Sequence, residues 1–525
     1  MKQELIQKKE AINFFLEKNI LLSSDIIDNI IKEDLKAVYD SIGKKIKSKN
    51  FLLFNKDLNK AIKEIPSIDI NWFDLEKAKT LFEKGKDKRI YEQFIHFIYS
   101  QKIKADEKKK VNVIFSYEED SKKREVQDFV QYFNNRYRAL EKILRIRPEL
   151  KNILTINRII GKKDRENVSC IGMVKEKETT KNNNLFLTLE DPTGSIKVLV
   201  NKNKPELFSQ AESIVLDETI GINGVNGDNI IFANSIVWPD IAQKELKKSP
   251  DDAYAIFLSD LHVGSKNFLP DAFDKFIKWI NLEAGNEKQR ELAEKVKYIF
   301  IAGDLVDGCG IYPEQDEELL IKDIYSQYDE CARLLAQIPS HIPVVVCPGN
   351  HDALRISEPQ PALYTDFAKA IYDLPNVVSV SNPSLVNIHA SENFSGFDVL
   401  MYHGYSFDYF IDNVDSIRNN GGYDRADLIM KFLLKRRHLA PTHTATLYIP
   451  DVKQDPLVIT RVPDFFVTGH IHKSIAANYK NITLISGSCW QSKTTFQEKV
   501  GHNPEPGRVP LVDLKTREIK ILKFL

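Results

Sequence analysis

The chain has little cysteine, no surplus of either charge and no long apolar run, and each shortage excludes a class of protein. Its 525 residues include 5 cysteines. Cys170, Cys309, Cys331, Cys347 and Cys489 are scattered and never spaced C-x-x-C, which excludes a disulfide framework and a thiolate zinc knot. Reduced thiols are expected, with Cys309 and Cys347 as buried packing residues. The 74 Lys and Arg balance 74 Asp and Glu. A protein that holds nucleic acid unaided carries a positive field, so a polynucleotide substrate here would need a local groove or a partner chain. No stretch approaches the roughly 18 apolar residues of a membrane span. The opening Met1, Lys2, Gln3, Glu4 has no apolar segment of a signal peptide, and a cytoplasmic protein is expected.

What is present is enough apolar sequence, 42%, to build two or three domains in a chain of this length. Residues 1–75 read as a small helical domain: Leu5, Ile12, Phe15 and Leu16 fall at helical spacing, and Ser24 and Asp25 precede Ile26, Ile27, Ile30 and Ile31 as a start signal. Residues 76–150 read as a helical and charged linker region. There a charged run from Lys102 to Arg124 surrounds apolar 111–115, and a helix is predicted over 127–144. Over 151–245 the period changes to two. The runs 168–174, 185–189 and 195–200 flank the turn Asp191-Pro192-Thr193-Gly194, and 220–225 and 230–236 join through Asn226-Gly227-Asp228. Such a twisted meander resembles an OB-fold barrel. Phe186 is its one well-placed aromatic, which favours protein docking over base stacking.

The second half repeats one pattern, an apolar run that ends in Asp, His, Asn and Gly. Residues 254–258 lead into Asp260 and His262, 298–302 into Gly303, Asp304 and Asp307, and 342–347 into Gly349, Asn350 and His351. Residues 399–402 lead into His403 and Gly404, and 465–468 into Gly469, His470 and His472. If the backbone stays extended, Asp260 and His262 project from one face and converge on one ion. Carboxylate, imidazole and amide oxygen without thiolate suit manganese, iron or zinc. The ligands are too many for one ion, so two metals sharing a carboxylate are expected. Helical patterns alternate with these strands, which predicts an α/β sandwich with ligands at strand ends.

In order, the blocks D-x-H, GD, GNH, H and GHxH resemble the calcineurin-like metallophosphoesterase superfamily across 251–525. The resemblance implies Asp260, His262, Asp304 and His472 on one metal and Asp304, Asn350, His403 and His470 on the other. The two divalent ions are expected to be manganese first, with iron, zinc or magnesium as options. His351 becomes a catalytic non-ligand that faces the leaving oxygen, and Asp307 a candidate to orient its imidazole. Two stretches lie outside the generic pattern. In 421–463 a helix ends in Lys435, Arg436 and Arg437, a candidate contact to nucleic-acid phosphates, although a basic last turn also suits the helix dipole. In 486–514, Trp490 and Phe496 are expected in the core or in a lid.

Taken with the OB-like segment, the arrangement is similar to the small-subunit family of the archaeal family D DNA polymerases. That resemblance implies a multidomain α+β protein: a helical N-terminal region, an OB-fold β-barrel and a C-terminal α/β-sandwich calcineurin-like phosphoesterase domain. It further implies a 3′ to 5′ exonuclease within a replicative polymerase, with a large catalytic subunit and DNA as partners. A sliding-clamp contact stays open for want of a clear motif. Two alternatives remain: a scaffold subunit without catalysis, and a stand-alone phosphatase, which the missing arginine after Asp307 disfavours. His96, His341, His389, His438, His443 and His502 have no motif context and are expected to be structural or exposed.

Overall fold

The computed structural model describes residues 2–18, 20–22, 26–31, 34–45, 52–54, 111–118, 123–162, 165–499 and 501–525. The chain divides into two compact units, 1–105 and 106–525. Within the first, helices Lys2–Leu16 and Leu35–Lys45 accompany two short parallel strands, Ile20–Leu22 and Leu52–Phe54. Its core is Ala11, Phe15, Ile20, Ile26 and Ile30. The helices were legible from their spacing, whereas three-residue strands carry no period to read. Of the expected linker over 76–150, residues 76–110 lie outside the described residues, as does most of the charged run.

The second unit contains a barrel and a sandwich. The barrel closes in the order Asn167–Thr179, Leu185–Asp191, Gly194–Val200, Ile230–Val237 and Thr219–Asn226. Alternating residues such as Leu185, Leu187 and Leu189 fill its interior, as a period of two requires.

The sandwich has two six-stranded sheets. One runs Val377–Ser379, Val344–Cys347, Val296–Ala302, Tyr254–Leu258, Arg508–Asp513 and Ile519–Lys523, parallel through its first four strands. The other runs Ile475–Tyr479, Ile482–Ser486, Phe465–Thr468, Phe397–Met401, Ser384–Ile388 and Val111–Ser116. Strand Tyr254–Leu258 is buried throughout because both of its faces are covered. Ile256 and Leu258 meet helices Pro270–Ile280 and Ile324–Leu335, while Ala255 and Phe257 meet the opposite sheet. The Phe257 and Phe300 rings stack there with centroids 5.2 Å apart, and each buried ring contributes about 1.5–3 kcal/mol.

Residues 111–116, read from sequence as part of a linker, form the edge strand beside Ser384–Ile388. Helix Val126–Leu144 follows and buries Arg136 against Asp455 at 2.6 Å. The Lys-rich connector after the barrel is pinned too, since Lys244 and Lys247 both pair with Asp464, at 2.6 and 2.7 Å. Among the described residues no helix is long and apolar enough to cross a membrane.

Candidate metal centre

Five strand ends, three from one sheet and two from the other, open on one side of the sandwich, and the loops beyond them bring the motif residues together. They do so on unusual backbone. The torsion φ is +52° at Asp260, His262 and Asp304, +70° at His470 and +55° at His472. The extended-strand premise for Asp260 and His262 therefore fails: the strand stops at Leu258, and left-handed turns aim the side chains inward. The loops still continue the strand register, with Asp260 N–H donating to Gly303 O at 3.0 Å and His262 N–H to Asp304 O at 3.1 Å. Left-handed backbone at non-glycine residues costs about 1–3 kcal/mol each and persists where surroundings over-determine it. Gly349 allows the tightest approach, because a Cβ there would overlap the Asp304 carboxylate.

Three of the imidazoles each have one nitrogen held from outside and turn the other inward. His262 Nδ1 faces the Asp307 carboxylate at 3.0 Å, His403 Nδ1 donates to Ala302 O at 2.8 Å, and His470 Nε2 faces Asp408 at 2.9 Å. These partners fix the tautomers and leave lone pairs on the inner nitrogens. His472 Nδ1 lies 3.0 Å from the Gln497 amide.

The inner atoms gather in two groups. His262 Nε2 is 3.1 Å from His472 Nε2, which is 3.3 Å from Asp260 Oδ1. His403 Nε2 is 2.9 Å from Asn350 Oδ1 and 3.2 Å from Asp304 Oδ2, and His470 Nδ1 is 3.0 Å from the same Asn350 oxygen. Asp304 Oδ2 also lies 3.8 Å from His262 Nε2, between the groups. Nitrogen and oxygen ligands about 2.0–2.2 Å from one ion stand roughly 3–3.5 Å from each other, so the donor set fits a divalent cation in each group. Without a cation only a proton can separate such acceptors. Burial opposes that proton on His403, but Asp304 and Asp260 beside it push its pKa up to about 10.

His351 stands beside the ligand groups, its N–H donating to Asp304 Oδ1 at 2.8 Å. Its Nδ1 pairs with the main-chain carbonyl of Asp307 at 2.8 Å, and Nε2 has no hydrogen-bond partner among the described residues. The contact expected between Asp307 and His351 is made by the Asp307 main-chain carbonyl and not by its carboxylate. The Asp307 carboxylate braces His262 and takes bonds from Gln491 at 3.0 Å and Gln315 at 3.2 Å, while its carbonyl sets His351. Burial opposes ionisation of Asp307, but His262 and His351 hold its carboxyl below the usual range. Asp352 ties the loops together by accepting Gly349 N–H at 2.9 Å and Leu305 N–H at 3.3 Å. Burial, then Asp304, pushes its pKa up to about 7.

The basic triplet is not at this site. Arg436 is 3% exposed and paired with Glu218 at 2.6 Å, Arg437 donates to Ile459 O and Thr460 O, and Lys435 Nζ lies 3.8 Å from the Trp238 ring centroid. The expected phosphate contact is therefore withdrawn: Lys435 and Arg436 join the sandwich to the barrel, and Arg437 bonds within the sandwich. Cys309, expected to be buried, is exposed. Trp490 is in the core as expected, 2% exposed. His438 is structural, bonded to Asp455, but His502 lines the cleft over the converging motif residues and packs on Tyr423 at 3.9 Å between centroids. Neither His502 nor Asp408 belongs to a motif. Asp408 is placed by the helix Phe407–Asn413 and His502 by its packing on Tyr423, where the 421–463 and 486–514 stretches meet.

The family described as calcineurin-like phosphoesterase matches residues 255–474, and that described as OB-fold nucleic acid binding domain matches 168–225. The DNA polymerase II small subunit of Methanothermobacter thermautotrophicus is 43% identical over 400 residues, 76% of this chain and 80% of that one. That of Archaeoglobus fulgidus is 40% identical over 384 residues, 73% and 74% of the two chains. For Pyrococcus furiosus the figures are 38% over 403 residues, covering 76% of this chain but 64% of the relative.

Proposed function

Because the chain belongs to the DNA polymerase II small-subunit family, we propose that its phosphoesterase domain is a two-metal 3′ to 5′ exonuclease that proofreads for a large polymerase subunit. The observation that carries the reading is the convergence of inward lone pairs from His262, His403 and His470 on Asp260, Asp304 and Asn350, with His351 alongside but outside both groups. A chain kept only as a scaffold has no need to bury carboxylates and imidazoles together, since unpaired charge in the interior is costly.

Asp260, His262, Asp304 and His472 would hold one cation, and Asp304, Asn350, His403 and His470 the other, with manganese as the first candidate. Such ions, when bound, neutralise the non-bridging oxygens of the phosphate and acidify water for attack. The protein's own contributions are orientation and proton transfer. Asp307 and Asp408 fix two ligand tautomers, and the Asp307 carbonyl keeps the His351 proton at Nδ1. Nε2 then opens on the cleft, exchanges protons with solvent there and delivers one to the 3′ oxygen as the P–O3′ bond breaks. Water becomes the new oxygen on phosphorus, and the terminal residue leaves as a 5′-monophosphate.

Gly308 argues against the phosphatase alternative. Its φ is +75°, and a Cβ there would overlap the His351 carbonyl oxygen, so an arginine in that position would displace the loop that carries His351. DNA and the large subunit are the partners this reading requires, the neutral net charge leaving much of the DNA grip to the assembly.

The test is degradation of 3′-labelled and 5′-labelled single strands by the manganese-loaded chain, alone and with the large subunit. Asp304→Ala and His351→Ala serve as controls. Stepwise shortening from the 3′ end, lost in both variants, is expected. Failure to cleave in either setting would leave the scaffold reading.

A further inference from the structure

We propose that Ile311, Tyr312 and Ile356 form a shelf that stacks the nucleobase on the leaving-group side of the scissile phosphodiester, a proposal that rests on the exonuclease reading above. The cleft over the metal ligands has two unlike walls. One carries Asp408, Gln497 and His502 beside His470 and His472, with the Tyr405 ring centroid 5.9 Å from that of His470. The other is apolar and consists of these three side chains.

The apolar wall belongs to His351. Ile311 and Tyr312 follow closely on Asp307, whose carbonyl holds His351 Nδ1 at 2.8 Å, and Ile356 lies in the loop that begins at His351. The Tyr312 and His351 ring centroids are 6.3 Å apart. The wall is braced from behind. Tyr312 Oη donates to Glu318 at 2.9 Å, and Ile311 N–H donates to Gln315 Oε1 at 2.8 Å, while Gln315 Nε2 donates to the Asp307 carbonyl at 2.8 Å. One buried amide therefore sets both the catalytic imidazole and the wall next to it.

Ile356 is 41% exposed, an apolar side chain open to solvent in a cleft lined mostly by polar and ionisable groups. Phosphate gains nothing from such a surface, and a flat uncharged group does. A nucleobase fits, because every base has a π-face and stacking on an aromatic ring tolerates any sequence. Position then decides which base. His351 protonates the departing 3′ oxygen, so the nucleoside beside it is the penultimate one, and the terminal nucleotide lies toward the wall that carries His470. The shelf thus holds the strand that remains. It can do so only when the penultimate base has left its duplex stack, which selects frayed or mismatched ends over paired ones.

A coupling experiment on the full manganese-loaded chain tests this. Single strands carry an abasic residue at the penultimate or at the terminal 3′ position, and wild type is compared with Tyr312→Ala and, as a second variant, Ile356→Ser. On intact DNA each variant is expected to raise KM with kcat little changed, about tenfold for Tyr312→Ala, within the range of base–aromatic stacking. Wild type should lose a similar factor on the penultimate-abasic strand, and the variants should lose nothing more on it. The terminal-abasic strand should show no such coupling. Additive losses, or coupling to the terminal base, would overturn the shelf while leaving the exonuclease intact. Absence of all cleavage by wild type would remove the functional reading and the shelf with it.

Discussion

Asp307 and Asp408 touch imidazoles from outside the ligand groups, so each acts through the nitrogen it holds. Replacing either carboxylate by an amide allows the wrong ring nitrogen to carry the proton. Asp307→Asn and Asp408→Asn should weaken manganese binding about 10- to 100-fold, read by metal titration, with activity restored at high manganese. Retention of wild-type affinity in both would show that the braces are structural only. His351 differs, because its imidazole neither joins nor braces the proposed ligand groups and pairs instead with the Asp307 carbonyl. His351→Ala should keep its metal content yet lose about 100- to 10,000-fold in kcat on DNA. The loss should be far smaller on thymidine 5′-p-nitrophenyl phosphate, whose leaving group needs no proton, and equal losses on both substrates would refute proton delivery at Nε2. At this scale the residues that converge in the site were legible because glycine-rich turns mark them in the sequence. Asp408 and the Asp307 carbonyl were not. A main-chain acceptor has no sequence signature, and Asp408 earns its place only when the helix Phe407–Asn413 lies against His470.

Among the elements, helix Val126–Leu144 shows how a polar core can hold a helix in place. Arg136 and Tyr132 on the helix meet Asp455 at 2.6 and 2.8 Å, and His438 meets the same carboxylate at 2.8 Å. The neutral His438 ring is satisfied at both nitrogens, since Nδ1 accepts Ala440 N–H at 3.0 Å. Burial, then Arg136 nearby, lowers its pKa from 6.5 to about 4, although Asp455 pulls the other way. A folded-state pKa below the unfolded one gives stability that is complete above about pH 6.5 and is lost as pH falls toward 4, at most about 3 kcal/mol. Thermal melts of the metal-free chain should therefore show a smaller drop between those pH values for His438→Gln than for wild type. Parallel declines would mean that His438 does not charge on unfolding. The helix itself was readable from its spacing, but its purpose was not, because Arg136 and Asp455 are far apart in the chain and nothing local links them. The edge strand Val111–Ser116 was hidden similarly, its short apolar run lying between a lysine cluster and an acidic one.

Across the whole second unit, the barrel and the sandwich were each legible from local patterns, while the joint between them was misread. Lys435, Arg436 and Arg437 looked like a phosphate contact because charge in a sequence is assumed to face water. Glu218 of the barrel, next to strand Thr219–Asn226, makes that assumption fail. Burial raises the pKa of Glu218 and lowers that of Arg436 despite their mutual attraction, so desolvation outweighs the pairing for each partner. Trp238 Nε1–H donates to Glu218 at 3.3 Å, and Arg436 donates to Ser213 O at 2.6 Å, which fixes the orientation of one domain on the other. Such a pair specifies geometry more than it stabilises. Glu218→Gln should then cost about 3–5 kcal/mol by leaving a buried guanidinium uncompensated, and should split one unfolding transition into two as the barrel uncouples. Glu218→Leu combined with Arg436→Met, which keeps volume and removes both charges, should recover most of that loss or exceed wild type. Calorimetry separates the outcomes: if the double variant is no more stable than Glu218→Gln, the pair supplies net attraction, and the joint holds by charge rather than by shape.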